Sequence, residues 1–179
     1  CERSEALRRQ FAWGWSCTTR ADLVDAEMLK FMRNAGCYRI AFGVETGSQE
    51  VLDSIGKRIT LDQVRRAVGS ALDSGIGVLC SFMFPHPWDT AETVREQGRF
   101  MKELVAMGAT VTMALTTPFP GTAYYDRAGE LGIRILTDHW DQFDAKHLVI
   151  ETRNLSEERL QPLLEELIEQ VGMRAQFEE

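Results

Sequence analysis

Predicted strands and predicted helices alternate along the chain, and a glycine ends most of the helices. The predicted strands are apolar on both faces, which is typical of parallel strands covered by helices. They lie at residues 11–18, 38–42, 76–84, 110–115 and 147–150. This alternation favours parallel strands joined by right-handed crossovers.

About four complete strand–helix units, followed by one more strand and helix, fit into the 179 residues. A closed eight-unit barrel takes about 250 residues, so the chain is too short for one. The sequence therefore predicts an α/β fold, a partial (β/α) TIM-type barrel of parallel strands that is incomplete at its N-terminal side. No shift in composition marks a linker, and residues 1–179 are expected to form a single domain.

Capping residues mark where several helices begin. Asp25 is placed to cap a helix that Gly36 ends, and residues 60–63 (TLDQ) have the form of a capping box. Further helices are predicted to begin near Ser48, Asp89 and Ser156.

Charge and cysteine content narrow the class of protein. The 20 basic and 27 acidic residues give a net charge of −7, which disfavours nucleic acid as a partner. No apolar run approaches the roughly 20 residues of a membrane span.

The four cysteines are far apart and form no CxxC pair, so they predict neither a zinc site nor a redox pair and are consistent with a cytoplasmic location. The chain begins at Cys1 inside a charged stretch, which favours a piece of a longer protein.

Residues 43–48 (GVETGS) follow an apolar strand and precede a helix start. This pattern predicts that the Glu45 carboxylate lies at the C-terminal end of a buried strand. Ligand sites of parallel α/β folds lie at that end of the strands. The sequence therefore predicts a ligand site around Glu45.

An ordered set of short segments resembles the radical S-adenosylmethionine (SAM) superfamily. Within it, the set is most similar to the cobalamin-binding branch that includes the anaerobic magnesium-protoporphyrin monomethyl ester cyclases. The segments are WSCTTR at 15–20, AGC at 35–37, GVETGS at 43–48, GKRIT at 56–60, SFMFP at 81–85 and PFPGT at 118–122. The turn after Phe84 departs from the family's usual Gly-x-Pro, because it reads Pro85-His86-Pro87. A lone histidine in a loop is more typical of a bystander than of a substrate contact.

The resemblance implies a 4Fe–4S cluster, S-adenosylmethionine and, in this branch, cobalamin, acting in tetrapyrrole-related oxidation. In the family, a CxxxCxxC loop after the first barrel strand holds the cluster, and a 5′-deoxyadenosyl radical abstracts hydrogen from the substrate. This chain contains no CxxxCxxC. We therefore predict no metal ligands and no catalytic residue in it, no cofactor bound to it, and no activity of the isolated chain.

The resemblance also implies which side chains contact S-adenosylmethionine. Glu45 lies where the family places a polar group near the ribose or the methionine end. Alternatively, Glu45 binds no ligand and is an acidic residue near a helix N-terminus, where the helix dipole favours a negative charge. Lys57 lies where relatives hold the cofactor's carboxylate with a cation, although the adjacent Arg58 can take the same role.

Three further cofactor contacts follow from the same resemblance. Ser81 lies on the strand from which relatives reach the ribose, and its alternative role is to fill the barrel. Thr117 ends the next strand, in the region that faces adenine. Arg20 ends the first visible strand near the barrel mouth, and its alternative is an ion pair with Asp22 or Asp25.

Two other functions remain open from the sequence. A barrel lyase or aldolase without a cluster needs a Schiff-base lysine within a strand, whereas Lys57 is predicted on a turn. A noncatalytic interaction domain is the third hypothesis. For an enzyme we expect a small-molecule substrate, which the resemblance implies is a tetrapyrrole. We also expect a dimer or a swapped contact through the strand edge at residues 11–18, since unpaired edges tend to pair.

Overall fold

The computed structural model describes residues 13–172. Two short 3-10 turns accompany its helices and strands. In chain order the helices and strands are β1 (Trp15–Thr19), α1 (Ala26–Asn34), β2 (Cys37–Glu45), α2 (Gln49–Ser54), α3 (Leu61–Asp73), β3 (Gly77–Phe84), α4 (Ala91–Ala106), β4 (Thr110–Leu115), α5 (Ala123–Asp126), α6 (Ala128–Leu131), β5 (Ile133–Ile135), β6 (Ile150–Thr152) and α7 (Glu157–Val171).

The first four strands form one parallel sheet in the order β1-β2-β3-β4. Sequential strands lie side by side, and each connection between them contains at least one helix. Where β1 meets β2, Ser16 is opposite Arg39 and Thr19 is opposite Phe42. The predicted α/β fold with parallel strands is confirmed, and within residues 13–172 the sheet does not close into a barrel.

The first predicted strand needs correction at its start. The structure begins β1 at Trp15, and residues 13 and 14, which the prediction placed in the strand, have no regular structure. Residues 11 and 12, like the charged stretch that contains Cys1, lie outside the described residues. Among the described residues β1 pairs with β2 alone, and the dimer through this edge stays a prediction.

The strand predicted at residues 147–150 was largely wrong. The structure has a strand at Ile150–Thr152, and it pairs antiparallel with Ile133–Ile135 in a separate two-stranded sheet. The Asp144 carboxylate accepts hydrogen bonds from the backbone N–H groups of Lys146 (2.8 Å) and His147 (3.1 Å). These donors are held in a turn and are not available to a strand ladder.

The chain forms two compact units, each assembled from three segments of the sequence. The first unit consists of residues 13–44, Arg58–Phe82 and Glu103–Thr112, and its buried side chains include Leu29, Ile40, Phe42, Val64 and Val68. The second consists of Glu45–Lys57, Met83–Lys102 and residues 113–172, with Leu52, Phe84, Met101, Leu160 and Leu164 buried. The carboxyl ends of β2, β3 and β4 belong to the second unit. The single-domain expectation stays a prediction.

Two helices begin at the capping residues that the sequence predicted. The Asp25 carboxylate accepts from the Met28 N–H at 2.8 Å. At α3 the Thr60 hydroxyl accepts from the Gln63 N–H (3.1 Å), and the Gln63 amide oxygen accepts from the Thr60 N–H (2.7 Å). Both caps are therefore confirmed. Within residues 13–172, no helix is long and apolar enough to cross a membrane.

Candidate functional site

Glu45 is the last residue of β2, and its backbone has a φ of 75°. This left-handed conformation is uncommon for a residue with a side chain, and such residues cluster at functional sites. The segment after it is tightly held, because the Thr46 hydroxyl accepts from the Ser48 N–H at 3.2 Å. Residues 45–48 belong to the second unit.

Lys57 pairs with Glu45. Its Nζ lies 2.7 Å from the Glu45 Oε1, and the two side chains are 17% and 23% exposed. The end of α2 determines this position: the Lys57 N–H donates to the Leu52 carbonyl (3.0 Å), and the Gly56 N–H donates to the Asp53 carbonyl (3.1 Å). This is a Schellman motif, and Gly56 supplies the left-handed residue with a φ of 67°.

His86 lies in the turn after β3 and is 2% exposed. Its Nε2 is 3.3 Å from the backbone carbonyl oxygen of Glu45, and its Nδ1 is 3.0 Å from the Tyr124 hydroxyl. A carbonyl oxygen only accepts, so the Nε2 must carry the proton in this contact. In the neutral imidazole, Nδ1 then accepts from the Tyr124 O–H.

Asp89 holds the turn that carries His86. Its carboxylate accepts from the His86 backbone N–H at 2.6 Å and from the Thr93 hydroxyl at 2.9 Å. Burial raises the pKa of the Asp89 carboxyl, and the nearby His86 and both hydrogen bonds oppose this shift. Burial also raises the pKa of the Tyr124 hydroxyl, assisted by the negative charges of Asp89 and Glu45. Tyr124 therefore stays protonated and able to donate.

Of the five predicted contacts, the structure brings Glu45 and Lys57 together. Thr117 belongs to the same unit, where its hydroxyl donates to the Leu115 carbonyl (3.2 Å) and accepts from the Ala145 N–H (3.2 Å). A hydroxyl has a second lone pair, so one acceptor position on Thr117 is left for a ligand. All five cofactor roles stay predictions.

Ser81 and Arg20 belong to the first unit. The Ser81 hydroxyl donates to the Phe42 carbonyl at 3.3 Å. The Arg20 guanidinium forms a two-point ion pair with the Asp22 carboxylate, at 2.9 and 3.0 Å. This is the ion pair that the sequence left open as the alternative role of Arg20.

Sequence reasoning missed the group formed by His86, Tyr124 and Asp89. It interpreted His86 as a bystander, whereas the ring is buried and contacts the predicted cofactor residue. Tyr124 is 38 residues away in the sequence, and no local pattern predicts that contact. The one available signal was the unusual turn, in which Pro85 and Pro87 flank the histidine.

Comparison with known proteins decides the family. A sequence profile described as the Radical SAM superfamily matches residues 2–101, more than half of the chain. The chain belongs to the radical SAM superfamily. This confirms the resemblance on which the site predictions depend.

Several curated proteins are similar to most of this chain. An uncharacterized methyltransferase of Pyrococcus horikoshii is 31% identical, covering 84% of this chain and 32% of the relative. The anaerobic magnesium-protoporphyrin IX monomethyl ester cyclase of Rubrivivax gelatinosus is 29% identical, with coverages of 73% and 23%. A bacteriochlorophyllide d C-8(2)-methyltransferase of Chlorobaculum tepidum is 27% identical, with coverages of 79% and 30%. The chain thus spans about a third or less of the length of these relatives.

Solved radical SAM structures share the fold. A methyltransferase of Kitasatospora setae, solved with cobalamin and a 4Fe–4S cluster bound, matches with a TM-score of 0.64 at 20% identity, over 77% of this chain and 30% of that chain. Coproporphyrinogen III oxidase of Escherichia coli matches with a TM-score of 0.66 at 14% identity, over 96% of this chain and 36% of that chain. At these identities the likeness concerns the fold alone.

Cys17, Cys37 and Cys80, the cysteines that the structure describes in this radical SAM chain, are not gathered into a group that could ligate a 4Fe–4S cluster. Burial raises the pKa of Cys37 to about 11 and that of Cys80 to about 12, so both are neutral thiols near pH 7. Burial raises the pKa of Cys17 as well. Among residues 13–172, no group of three or more His, Cys, Asp or Glu side chains could hold a metal ion.

The buried thiol of Cys80 should resist alkylation in the native chain. With a pKa of about 12, roughly one thiol in ten thousand is ionised at pH 8, and the thiolate is the reactive form. We expect iodoacetamide at pH 8 to leave Cys80 unmodified, as measured by peptide mass spectrometry, while the partly exposed Cys17 reacts faster. The control is the guanidinium-unfolded chain, in which every cysteine reacts. Rapid native alkylation of Cys80 would contradict the burial described above.

Proposed function

We propose that this chain forms the part of a radical SAM enzyme that holds the methionine end of S-adenosylmethionine. The Glu45–Lys57 pair carries the proposal. The methionine end has one ammonium and one carboxylate group, and the pair presents one charge of each sign, with both side chains partly exposed. Lys57 would hold the cofactor's carboxylate, and Glu45 would accept from its ammonium group or from the ribose hydroxyls.

Thr117, which belongs to the same unit as the pair, has a supporting role in this proposal, because its hydroxyl keeps one acceptor position for the ribose or the adenine. The contacts predicted for Ser81 and Arg20, which belong to the other unit, rest on the family resemblance alone. Bound S-adenosylmethionine supplies the hydrogen-abstracting chemistry of the superfamily. Glu45, Lys57 and Thr117 would bind and orient it.

The substrate we propose is a tetrapyrrole, on the strength of the relatives. One of them is named a magnesium-protoporphyrin ester cyclase and another a bacteriochlorophyllide methyltransferase. The first candidate reaction is oxidation of the cyclase kind. Methyl transfer, with cobalamin as a further cofactor, is the second candidate, because the 31% identical relative is named a methyltransferase. A labelled S-adenosylmethionine methyl group that appears in the tetrapyrrole product would favour methyl transfer, and an unlabelled oxidised product would favour the cyclase reaction.

We also propose that the cluster ligands come from residues outside this chain and that the isolated chain is inactive. The lack of fit of Cys17, Cys37 and Cys80 to a cluster supports this, as does the greater length of the relatives. The unpaired cysteines support the cytoplasmic location expected from the sequence.

The test compares this chain with the complete protein that contains it. Both are produced without oxygen, supplied with iron, sulfide, reductant and S-adenosylmethionine, and assayed for 5′-deoxyadenosine. We expect 5′-deoxyadenosine from the complete protein and none from the 179-residue chain. An iron-loaded complete protein that forms none would refute the proposal and favour the lyase or the noncatalytic interaction domain.

A further inference from the structure

We infer that His86 is a positioning residue that holds Glu45 in its left-handed conformation, and that Tyr124 fixes the imidazole tautomer required for this. The inference rests on the proposed function, because Glu45 is the residue proposed to contact S-adenosylmethionine. It assigns a role to the buried imidazole of His86 and the partly buried phenol of Tyr124, and the family resemblance addresses neither.

The donors and acceptors around His86 permit one neutral tautomer. The Glu45 carbonyl can only accept, so Nε2 carries the proton in the 3.3 Å contact. Nδ1 is then a bare acceptor, and the Tyr124 hydroxyl, 3.0 Å away, donates to it. The raised pKa of Tyr124 keeps that hydroxyl protonated. The two bonds together point the Nε2 proton at Glu45.

Glu45 needs such a partner because of its backbone. A left-handed φ of 75° costs a residue with a side chain free energy relative to the extended conformation and persists where its surroundings fix it. The hydrogen bond from His86 fixes the carbonyl of this same residue. Without it the peptide group after Glu45 can rotate, and the carboxylate moves with the backbone that carries it.

The turn that carries His86 is itself anchored. Asp89 accepts from the His86 N–H at 2.6 Å, and the Thr93 hydroxyl, on the first turn of α4, holds the Asp89 carboxylate from the other side. The imidazole is therefore fixed through its main chain by Asp89 and through its ring by Tyr124. A rigid support of this kind positions Glu45, whereas a mobile side chain could not.

Three variants separate positioning from simple packing. His86→Leu removes both ring contacts at similar volume. His86→Gln keeps an N–H donor close to the position of Nε2, so it should restore most of the function. Tyr124→Phe removes only the hydroxyl, and Tyr125→Phe is the matched control on the neighbouring residue, whose ring contacts Trp140.

Two measurements are made on these variants. In the 179-residue chain, which has three histidines, ¹⁵N NMR of the neutral ring should show the Nε2–H tautomer for His86. The Nδ1 signal should shift in Tyr124→Phe and stay unchanged in Tyr125→Phe. In the iron-loaded complete protein, the dissociation constant for S-adenosylmethionine should rise about tenfold in His86→Leu and about threefold in Tyr124→Phe, and return close to wild type in His86→Gln.

The outcomes keep the two proposals distinguishable. If the wild-type complete protein binds no S-adenosylmethionine, the proposed function fails, and the inference about His86 fails with it, whatever the tautomer. If the wild type binds and His86→Leu binds equally well, the positioning role alone is overturned. A His86 ring in the Nδ1–H tautomer also overturns it, because Nε2 could then not donate to Glu45. Equal losses in His86→Gln and His86→Leu would show a packing role instead.

Discussion

Replacing Gly47 by alanine is expected to lower the free energy of unfolding by about 3 kcal/mol, at the upper end of what overpacking costs. A Cβ at this position would lie 2.6 Å from the Gln97 Cα and 2.8 Å from the Phe100 Cβ. Both atoms belong to the framework of α4, so neither can rotate away as the tip of a long side chain can. Helix and turn would have to separate.

The measurement is equilibrium urea unfolding followed by circular dichroism. The matched control is Gly129→Ala in α6, where an added Cβ meets nothing within 4 Å, and alanine is the better helix former by up to about 1 kcal/mol. The control should be as stable as the wild type or slightly more stable. A Gly47→Ala chain with wild-type stability would mean that α4 and the turn after β2 are not in close contact.

Replacing Lys57 by methionine in the complete protein is expected to reduce 5′-deoxyadenosine formation by about a hundredfold. Loss of one partner from a hydrogen-bonded charge pair costs roughly 2 to 5 kcal/mol. We expect the low end here, since both side chains keep some exposure to water. Methionine preserves most of the length and the apolar character of the lysine stem, so the ammonium group is the main part removed.

A double variant separates the effect of Lys57 on cofactor binding from its effect on the stability of the fold. Lys57→Met alone leaves the half-buried Glu45 carboxylate without this partner and should also lower the unfolding free energy. In Glu45→Gln combined with Lys57→Met the stability should recover, because no unpaired charge is left, whereas the activity should not. Exposed Lys102→Met and Glu50→Gln are the matched controls. Recovery of activity in the double variant would mean that the pair is structural and does not contact the cofactor.

What the sequence could predict here was local. The cap at Asp25, the capping box at Thr60 and the end of strand β2 at Glu45 each follow from residues within a few positions of one another. The strand predicted at 147–150 began too early for a physical reason of the same scale: the Asp144 carboxylate accepts from the His147 N–H, the first backbone donor of the predicted strand. The apolar pattern alone does not show whether a backbone N–H bonds to a nearby side chain or to a neighbouring strand.

Contacts between residues far apart in the sequence were harder to predict. The Glu45–Lys57 pair was reached through the family resemblance, as two separate cofactor contacts and not as an ion pair. The His86–Tyr124 contact joins two loops that share no periodicity, and its partners are ordinary loop residues when each is considered alone. Only the folded chain shows that the two side chains leave the Nε2 proton of His86 directed at Glu45.

Because a Schellman motif at the end of α2 fixes the position of Lys57, the distance between the two charges depends on the number of residues between them. Glu45 and Lys57 are 12 positions apart, and the six-residue helix between them sets the direction in which the lysine leaves it. One inserted residue would turn the end of that helix by about 100° and carry the ammonium group away from the carboxylate. We therefore expect insertions and deletions in this short segment to weaken the Glu45–Lys57 pair more than substitutions of its individual side chains.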